Sequence, residues 1–296
     1  MTKAEAVLDP HHSDHRKVAV VAGGGRLPVN VARSIAAAGE KPFIVIVDGE
    51  VDSDSGLEAY DHKVLSLEQI ALLIPTLKQQ SVTHAVLAGS IDRRPDWKKL
   101  RPNLALISIL PRLIAGLTRG DDGLLRTLIR GIEDAGIKVV GAHEIVPSML
   151  ADEGLMTKAR PLAADSRDIE SALAAAKAIG ALDIGQAAVA IGGRVIALEG
   201  IEGTDGLLER VADLRSHGRI AGKGRGVLVK CAKPQQELRA DLPTIGPATV
   251  IAAHRAGLAG IAVEAEYSFI LDYPEVMSRA DECGLFILGL ARREDT

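Results

Sequence analysis

Aromatic side chains are nearly missing: three Phe, three Tyr and one Trp occur in 296 residues, about 2% of the chain. Cores must therefore be assembled from Ala, Val, Ile and Leu, which dominate an apolar fraction of 47%. The same scarcity argues against binding single-stranded nucleic acid, whose bases need stacking platforms. Basic charge is not in excess either. With 35 Lys and Arg against 39 Asp and Glu, the formal net charge is −4, which offers no field to a polyanion, so no nucleic-acid partner is expected. Cysteine is reduced to Cys231 and Cys283, too few and too far apart for a disulfide framework or a zinc site, which fits a reducing compartment. No apolar run approaches the ~20 residues of a membrane span. The first sixteen residues, with His11, His12 and His15 beside Asp9 and Asp14, lack the basic start and apolar centre of a signal peptide and read as a disordered tail.

What is present in the first half alternates. Lys17 to Ala22 is a short apolar run, Gly23, Gly24 and Gly25 follow at once, and Val29 to Ala38 then has helical spacing. Pro28 suits a first helical turn, where no amide hydrogen is needed, and Gly39 suits the stop. Phe43 to Val47 reads as a second buried strand ending at Asp48. Glycines at a helix start let a phosphate approach free backbone amides, and an acidic residue some way on suits a ribose hydroxyl, although Pro28 stands where the dinucleotide fingerprint has its third glycine. Further strands are expected at 85–88 and 137–140, with helices at about 68–79, 104–116 and 122–135. Such alternation predicts a mainly parallel sheet, with ligands beyond the carboxyl ends of its strands. Arg93 and Arg94 follow one strand and suit either phosphate or surface ion pairs. Asp121 and Asp122 precede a helix and suit either its cap or a ligand.

Apolar regularity breaks between about Pro147 and Asp165, which reads as a linker. The fold class is therefore α/β, with an N-terminal Rossmann-like parallel-sheet domain at 16–146 and a second, mixed α+β domain at 166–296. In that second part an alanine-rich helix runs from Ile169 to Ile179, and short apolar runs recur at 187–191, 194–198, 226–229, 260–263, 269–271 and 286–290. Polar groups lie at their edges. Gln186 precedes one run. Glu202, Thr204 and Asp205 follow another, where they suit a hydroxyl-rich ligand, Mg²⁺ or a helix cap. The densest chemistry lies between Lys230 and Gly246. Lys230, Lys233 and Arg239 suit phosphate oxygens, Gln235 and Gln236 donate or accept, and Glu237 and Asp241 suit a hard cation. Pro234 and Pro243 keep this stretch out of a helix or a central strand, so it reads as a loop leaving a rigid one.

Taken in order, Ala22-Gly23-Gly24-Gly25, Gly120-Asp121-Asp122, Gly141-Ala142-His143-Glu144, Leu182 to Gln186, Glu202-Gly203-Thr204-Asp205, Lys233 to Arg239 and Asp241 to Gly246 form a pattern. From about residue 16 to residue 290 it resembles the metal-dependent UDP-2,3-diacylglucosamine pyrophosphatases of alphaproteobacteria and some other Gram-negative bacteria. The resemblance implies a cytoplasmic step of lipid A (lipopolysaccharide) synthesis, in which UDP-2,3-diacylglucosamine and water give UMP and 2,3-diacylglucosamine 1-phosphate. It implies attack on the phosphorus nearer the sugar, a nucleotide-binding first domain and a second domain for the acylated sugar phosphate. It also makes Asp241 the catalytic aspartate.

Within that reading Lys233 and Arg239 assist Asp241. Gly23, Gly24, Gly25, Asp121, Asp122, Gln186, Thr204, Lys230, Gln236 and Thr244 bind substrate. Mg²⁺ or Mn²⁺ is held by Asp241 with help from Glu202 and Asp205. The partner is a lipidic nucleotide sugar, met through weak peripheral contact with the inner membrane, and a homodimer is the default for an enzyme of this size. Two other classes stay open on the residues: a nicotinamide-dependent oxidoreductase using the glycine loop and Asp48, and a non-catalytic binder of nucleotide sugars.

Overall fold

The computed structural model describes residues 16–91, 93, 120–216, 220, 224–234 and 236–292, without the side chains of 120–122 and 124. The helix expected at 104–116, Arg94, Gln235 and the histidines of the N-terminal tail lie outside the described residues. Two compact units divide the chain: Met1–Ser148 with Glu237–Asp241, and Met149–Gln236 with Leu242–Thr296.

In the first unit, β1 (Val18–Ala22), β2 (Phe43–Val47), β3 (Asp61–Leu65), β4 (His84–Ala88) and β5 (Lys138–Val139) form a five-stranded sheet in the order β3-β2-β1-β4-β5. Every pairing is parallel. All five residues of β1 and of β2 are buried, as strands covered on both faces must be. The covering helices are α1 (Leu27–Ala37), α2 (Leu73–Gln79), α3 (Gly120–Asp134) and the short α4 (Ala142–Ile145). Val21, Val45 and Leu87 share one core with Leu73, Leu77, Ile129 and Ile132. The region expected as one helix at 68–79 divides into a 3₁₀ stretch, Leu67–Leu72, and α2. The Gln69 side-chain oxygen accepts the Ser66 amide at 3.2 Å at its start. Pro75 sits in the first turn of α2, where its missing amide hydrogen has no intrahelical partner. Strand β3 has no counterpart in the apolar pattern. Its sequence is Asp-His-Lys-Val-Leu and its first four residues are exposed, as an edge strand allows.

The second unit holds a six-stranded sheet in the order β6-β13-β11-β9-β7-β8. Its strands are β6 (Gly154–Leu155), β7 (Ala187–Ile191), β8 (Arg194–Leu198), β9 (Val227–Lys230), β11 (Gly260–Glu264) and β13 (Phe286–Leu290). The three strands β9, β11 and β13 are parallel, while β7 and β6 flank them antiparallel and β8 returns against β7. A separate parallel pair joins β10 (Thr244–Ile245) to β12 (Phe269–Ile270). Alternate residues face two cores. On one side α5 (Ala163–Ala181) sets Ile169, Ala172 and Ala176 against Ala188, Val229 and Phe286. On the other, α6 (Gly203–Leu214), α7 (Pro247–Arg255) and α8 (Tyr273–Glu282) bring Leu207, Val250 and Val276 onto Val189, Leu228, Ile261 and Ile287. Scarce aromatics are placed with care. A Cβ on Gly260 would lie 2.4 Å from the Phe286 ring, so the ring occupies the space that glycine leaves.

The stretch expected as a linker, 147–165, is built into the second sheet: β6 pairs with β13 there, and α5 begins at Ala163. It approaches so closely that a Cβ on Gly289 would sit 1.8 Å from the Asp152 carbonyl oxygen. The segment Glu237–Asp241, expected inside the second domain, groups with the first unit, where Ala240 packs against the core around Leu73 and Ile129.

Candidate active site

The polar groups of the second unit collect at one edge of its sheet because of strand direction. Lys230 ends β9 and Glu264 ends β11. Antiparallel β7 begins opposite Lys230, at Ala187, so Gln186 stands at that edge too. The Glu199 amide donates to the Ala187 carbonyl at 2.9 Å, which brings the end of β8 alongside.

Lys230 is only 8% exposed, and its ammonium donates to the Thr204 hydroxyl at 3.0 Å and to the Thr244 carbonyl at 3.1 Å. The Thr204 hydroxyl donates in turn to Glu199 Oε1 at 2.6 Å, and the other Glu199 oxygen accepts the Gln186 amide at 2.6 Å. A buried cation thus faces a buried carboxylate through one hydroxyl, which offsets the desolvation of both. Four residues singled out in the sequence, Lys230, Thr204, Thr244 and Gln186, are brought together here. Thr204 does so with the hydroxyl that also suited a helix cap: α6 has no side-chain cap bond. The side-chain oxygen of Gln186 is buried without a hydrogen-bond partner.

Glu199 and Glu264 were not singled out by the sequence. Glu264, 4% exposed, accepts the Ala232 amide at 2.9 Å and so holds the start of the loop that follows Lys230. The available signal was a carboxylate closing an apolar run, which both share. Burial, reinforced by Glu264, pushes the Cys231 thiol up to about 12, so this cysteine is no nucleophile.

Beyond Ala232 the charged side chains of the loop are held in ion pairs. The Lys233 ammonium lies 2.7 Å from Asp183, and the Lys233 amide donates to the Gln236 side-chain oxygen at 2.9 Å. In the first unit's segment, Arg239 bonds Glu237 at 2.8 and 3.1 Å and Glu133 at 2.6 Å. The hydrogen bond from Arg239 holds the Glu237 carboxyl below its usual range, and the same bond raises the guanidinium's own value. Asp241 is exposed, with its amide on the Glu237 carbonyl at 3.0 Å.

Two of the residues expected to hold a metal stand at the start of α6. Glu202 pairs with Arg210 at 2.6 Å, and Asp205 is exposed in the first turn of α6. Among the described residues no three His, Cys, Asp or Glu side chains are grouped as a metal cage needs. The side chains of Asp121 and Asp122, in α3, lie outside the described residues.

In the first unit the glycine run leaves β1 beside β4, at the point where the strand order reverses. Gly23 donates to the Ala88 carbonyl at 2.8 Å and Gly24 to the Ser90 carbonyl at 2.7 Å. A Cβ on Gly23 would lie 2.3 Å from that Ser90 oxygen, so glycine lets the two loops touch. Gly25 has φ +80 with open space around it, followed by α1 with Pro28 in its first turn. Arg93 fastens the neighbouring loop, bonding the Asp48 carbonyl and, at 3.1 Å, Glu50.

Two family models match the chain: LpxI N-terminal domain over residues 17–149 and LpxI C-terminal domain over residues 152–288. A protein of Caulobacter vibrioides named UDP-2,3-diacylglucosamine pyrophosphatase LpxI is 40% identical over 280 residues, covering 94% of this chain and 99% of the relative.

Proposed function

The chain belongs to the LpxI family, and from that premise we propose that it cleaves the diphosphate of UDP-2,3-diacylglucosamine with water, as the Caulobacter relative's name describes. The products are UMP and 2,3-diacylglucosamine 1-phosphate, an intermediate of lipid A synthesis. The observation that carries the reading is Lys230, a buried ammonium fixed at the carboxyl edge of a rigid sheet between Thr204 and Thr244.

A diphosphate resists hydrolysis because its oxygens repel a nucleophile, so a catalyst must supply positive charge and align the water. Lys230 supplies a cation that needs no reorganisation. Lys233 and Arg239 add charge on a loop bracketed by proline, and in this structure both are held by carboxylates that a phosphate would have to replace. Asp241, exposed and carried on the same loop, suits a water that attacks the phosphorus nearer the sugar. The glycine turn at β1 and the start of α1, at the point where the strand order reverses, support a place for the nucleotide in the first unit.

Among the described residues the grouping of carboxylates does not fit a preformed metal cage. Mg²⁺ commonly binds through one or two carboxylates together with substrate phosphates, which fits Asp241 as its protein ligand. When bound, the ion would neutralise phosphate oxygens. No described helix is long and apolar enough to cross a membrane, and we propose that contact with the inner membrane's cytoplasmic face is weak and led by the lipid substrate. A homodimer is part of the same proposal.

Incubating the protein with UDP-2,3-diacylglucosamine and Mg²⁺ should release UMP, and EDTA should stop it. Asp241→Ala should abolish turnover while retaining substrate binding. A variant within tenfold of the parent removes Asp241 from the chemistry.

A further inference from the structure

Glu199 is 6% exposed and Lys230 8%, so neither has water to replace a lost partner. Between them stands one hydroxyl, and its polarity is fixed by what its neighbours can do. A carboxylate only accepts and an ammonium only donates. The single proton of Thr204 therefore points at Glu199, at 2.6 Å, and its lone pairs point at Lys230, at 3.0 Å. The second Glu199 oxygen holds the Gln186 amide at 2.6 Å, tying the start of β7 to the same carboxylate. The backbone is shaped to admit this arrangement, since a Cβ on Gly185 would lie 2.4 Å from the Glu199 carbonyl oxygen.

We propose that Glu199 is a positioning residue for the reaction: acting through the Thr204 hydroxyl it aims the Lys230 ammonium, and through the Gln186 amide it fixes the strand beside it. The inference rests on reading Lys230 as a cation that meets the substrate's phosphate. Glutamine is the informative replacement because it has the same size. Its amide group must face one of two donors. Toward Gln186 it sets donor against donor. Toward Thr204 it turns the hydroxyl proton away from its place and removes the charge that Lys230 faces.

Glu199→Gln in the full chain should lower kcat/KM for UMP release roughly 10- to 100-fold, the range for losing a buried hydrogen bond to a charged group. Thr204→Val should lower it comparably. The double variant should lose clearly less than the product of the two single losses, because both changes break the Thr204 contact and only the Gln186 contact is lost with Glu199 alone. Losses that multiply, or Glu199→Gln within threefold of the parent, overturn the proposal. Glu199→Asp keeps the charge, so it should recover part of the loss. It also replaces Gln in the cycle if that variant does not fold, and an Asp variant no better than Gln counts against the proposal. A separate measurement needs no turnover. Acetic anhydride should acetylate Lys230 several-fold faster in Glu199→Gln than in the parent, read by mass spectrometry, and equal rates overturn the role of Glu199. A parent that releases no UMP defeats the pyrophosphatase reading instead, while the labelling still judges Glu199.

Discussion

Asp165 offers the most direct test of how the second unit is held together. It lies in the first turn of α5 and is 1% exposed. Its oxygens accept the Leu162 amide at 2.7 Å, Arg225 Nε at 2.9 Å and a further bond from the same guanidinium. Sixty residues separate Asp165 from Arg225, so the pair fastens the start of the helix to the chain entering β9. Asp165→Asn keeps the volume and removes the charge. Breaking a buried pair costs ~3–5 kcal/mol when the remaining ion stays buried. The Arg225 side chain is 43% exposed and recovers water, so the expected loss is smaller, about 2–3 kcal/mol. That corresponds to a fall in Tm of roughly 5–10 °C. Burial pushes the Asp165 carboxyl up, but the Arg225 hydrogen bonds and the Leu162 amide outweigh it and hold the group below its usual range. A depressed carboxyl adds stability above its unfolded pKa of about 4, and that stability is lost as pH falls through the folded value. Urea unfolding followed by circular dichroism should therefore separate parent and variant fully at pH 7 and progressively less toward pH 3. A gap below about 0.5 kcal/mol at pH 7, or one that stays constant down to pH 3, would refute the assignment of this pair.

Two further expectations concern the glycine run and the cysteines. Gly23→Ala should destabilise the first unit more than Gly25→Ala in thermal unfolding, because the first meets the Ser90 oxygen at 2.3 Å whereas the second meets only an unfavourable φ of +80. The φ penalty is about 1–2 kcal/mol, and the reverse ranking would contradict the close approach of the two loops. With a thiol near 12, about one Cys231 in ten thousand is thiolate at pH 8, so iodoacetamide should modify half-buried Cys283 first and leave Cys231 intact while the protein is folded. Equal labelling of both in mass spectrometry would mean that Cys231 is not sealed into the core.

Much of the framework was legible because aliphatic runs bounded by glycine and proline mark buried strands. Phe43–Val47, Ala187–Ile191 and Phe286–Leu290 needed nothing more. Strand β3 was hidden because an edge strand with exposed Asp61, His62 and Lys63 has no apolar signature. Lys230, Thr204, Thr244 and Gln186 were legible as polar residues at strand ends. Their order of contact was not, because Glu199 joins them only when β8 folds back along β7. The glycine run was legible as a turn. Its close approach to Gly89 and Ser90 requires knowing that β1 and β4 are neighbours, which the strand order supplies. The role proposed for Asp241 came from the family pattern, since its spacing alone would suit any charged loop.

The composition and the polar edge are two sides of one requirement. Keeping Lys230, Glu199 and Glu264 nearly dry costs desolvation, which is offset only while their partners stay in place. Small aliphatic residues let α5 lie close on β7 and β9 through Ala172, Ala176, Ala188 and Ala190, and such contacts leave little room for the strands to shift. The six-stranded sheet is thereby stiff where its polar groups gather. The loop after Lys230 is different: it begins on a buried anchor, Ala232 on Glu264, and continues through exposed Pro234 with Lys233 and Arg239 in ion pairs. A fixed cation on a rigid edge is what the proposed diphosphate hydrolysis asks for, since the phosphate must be held still while water attacks it.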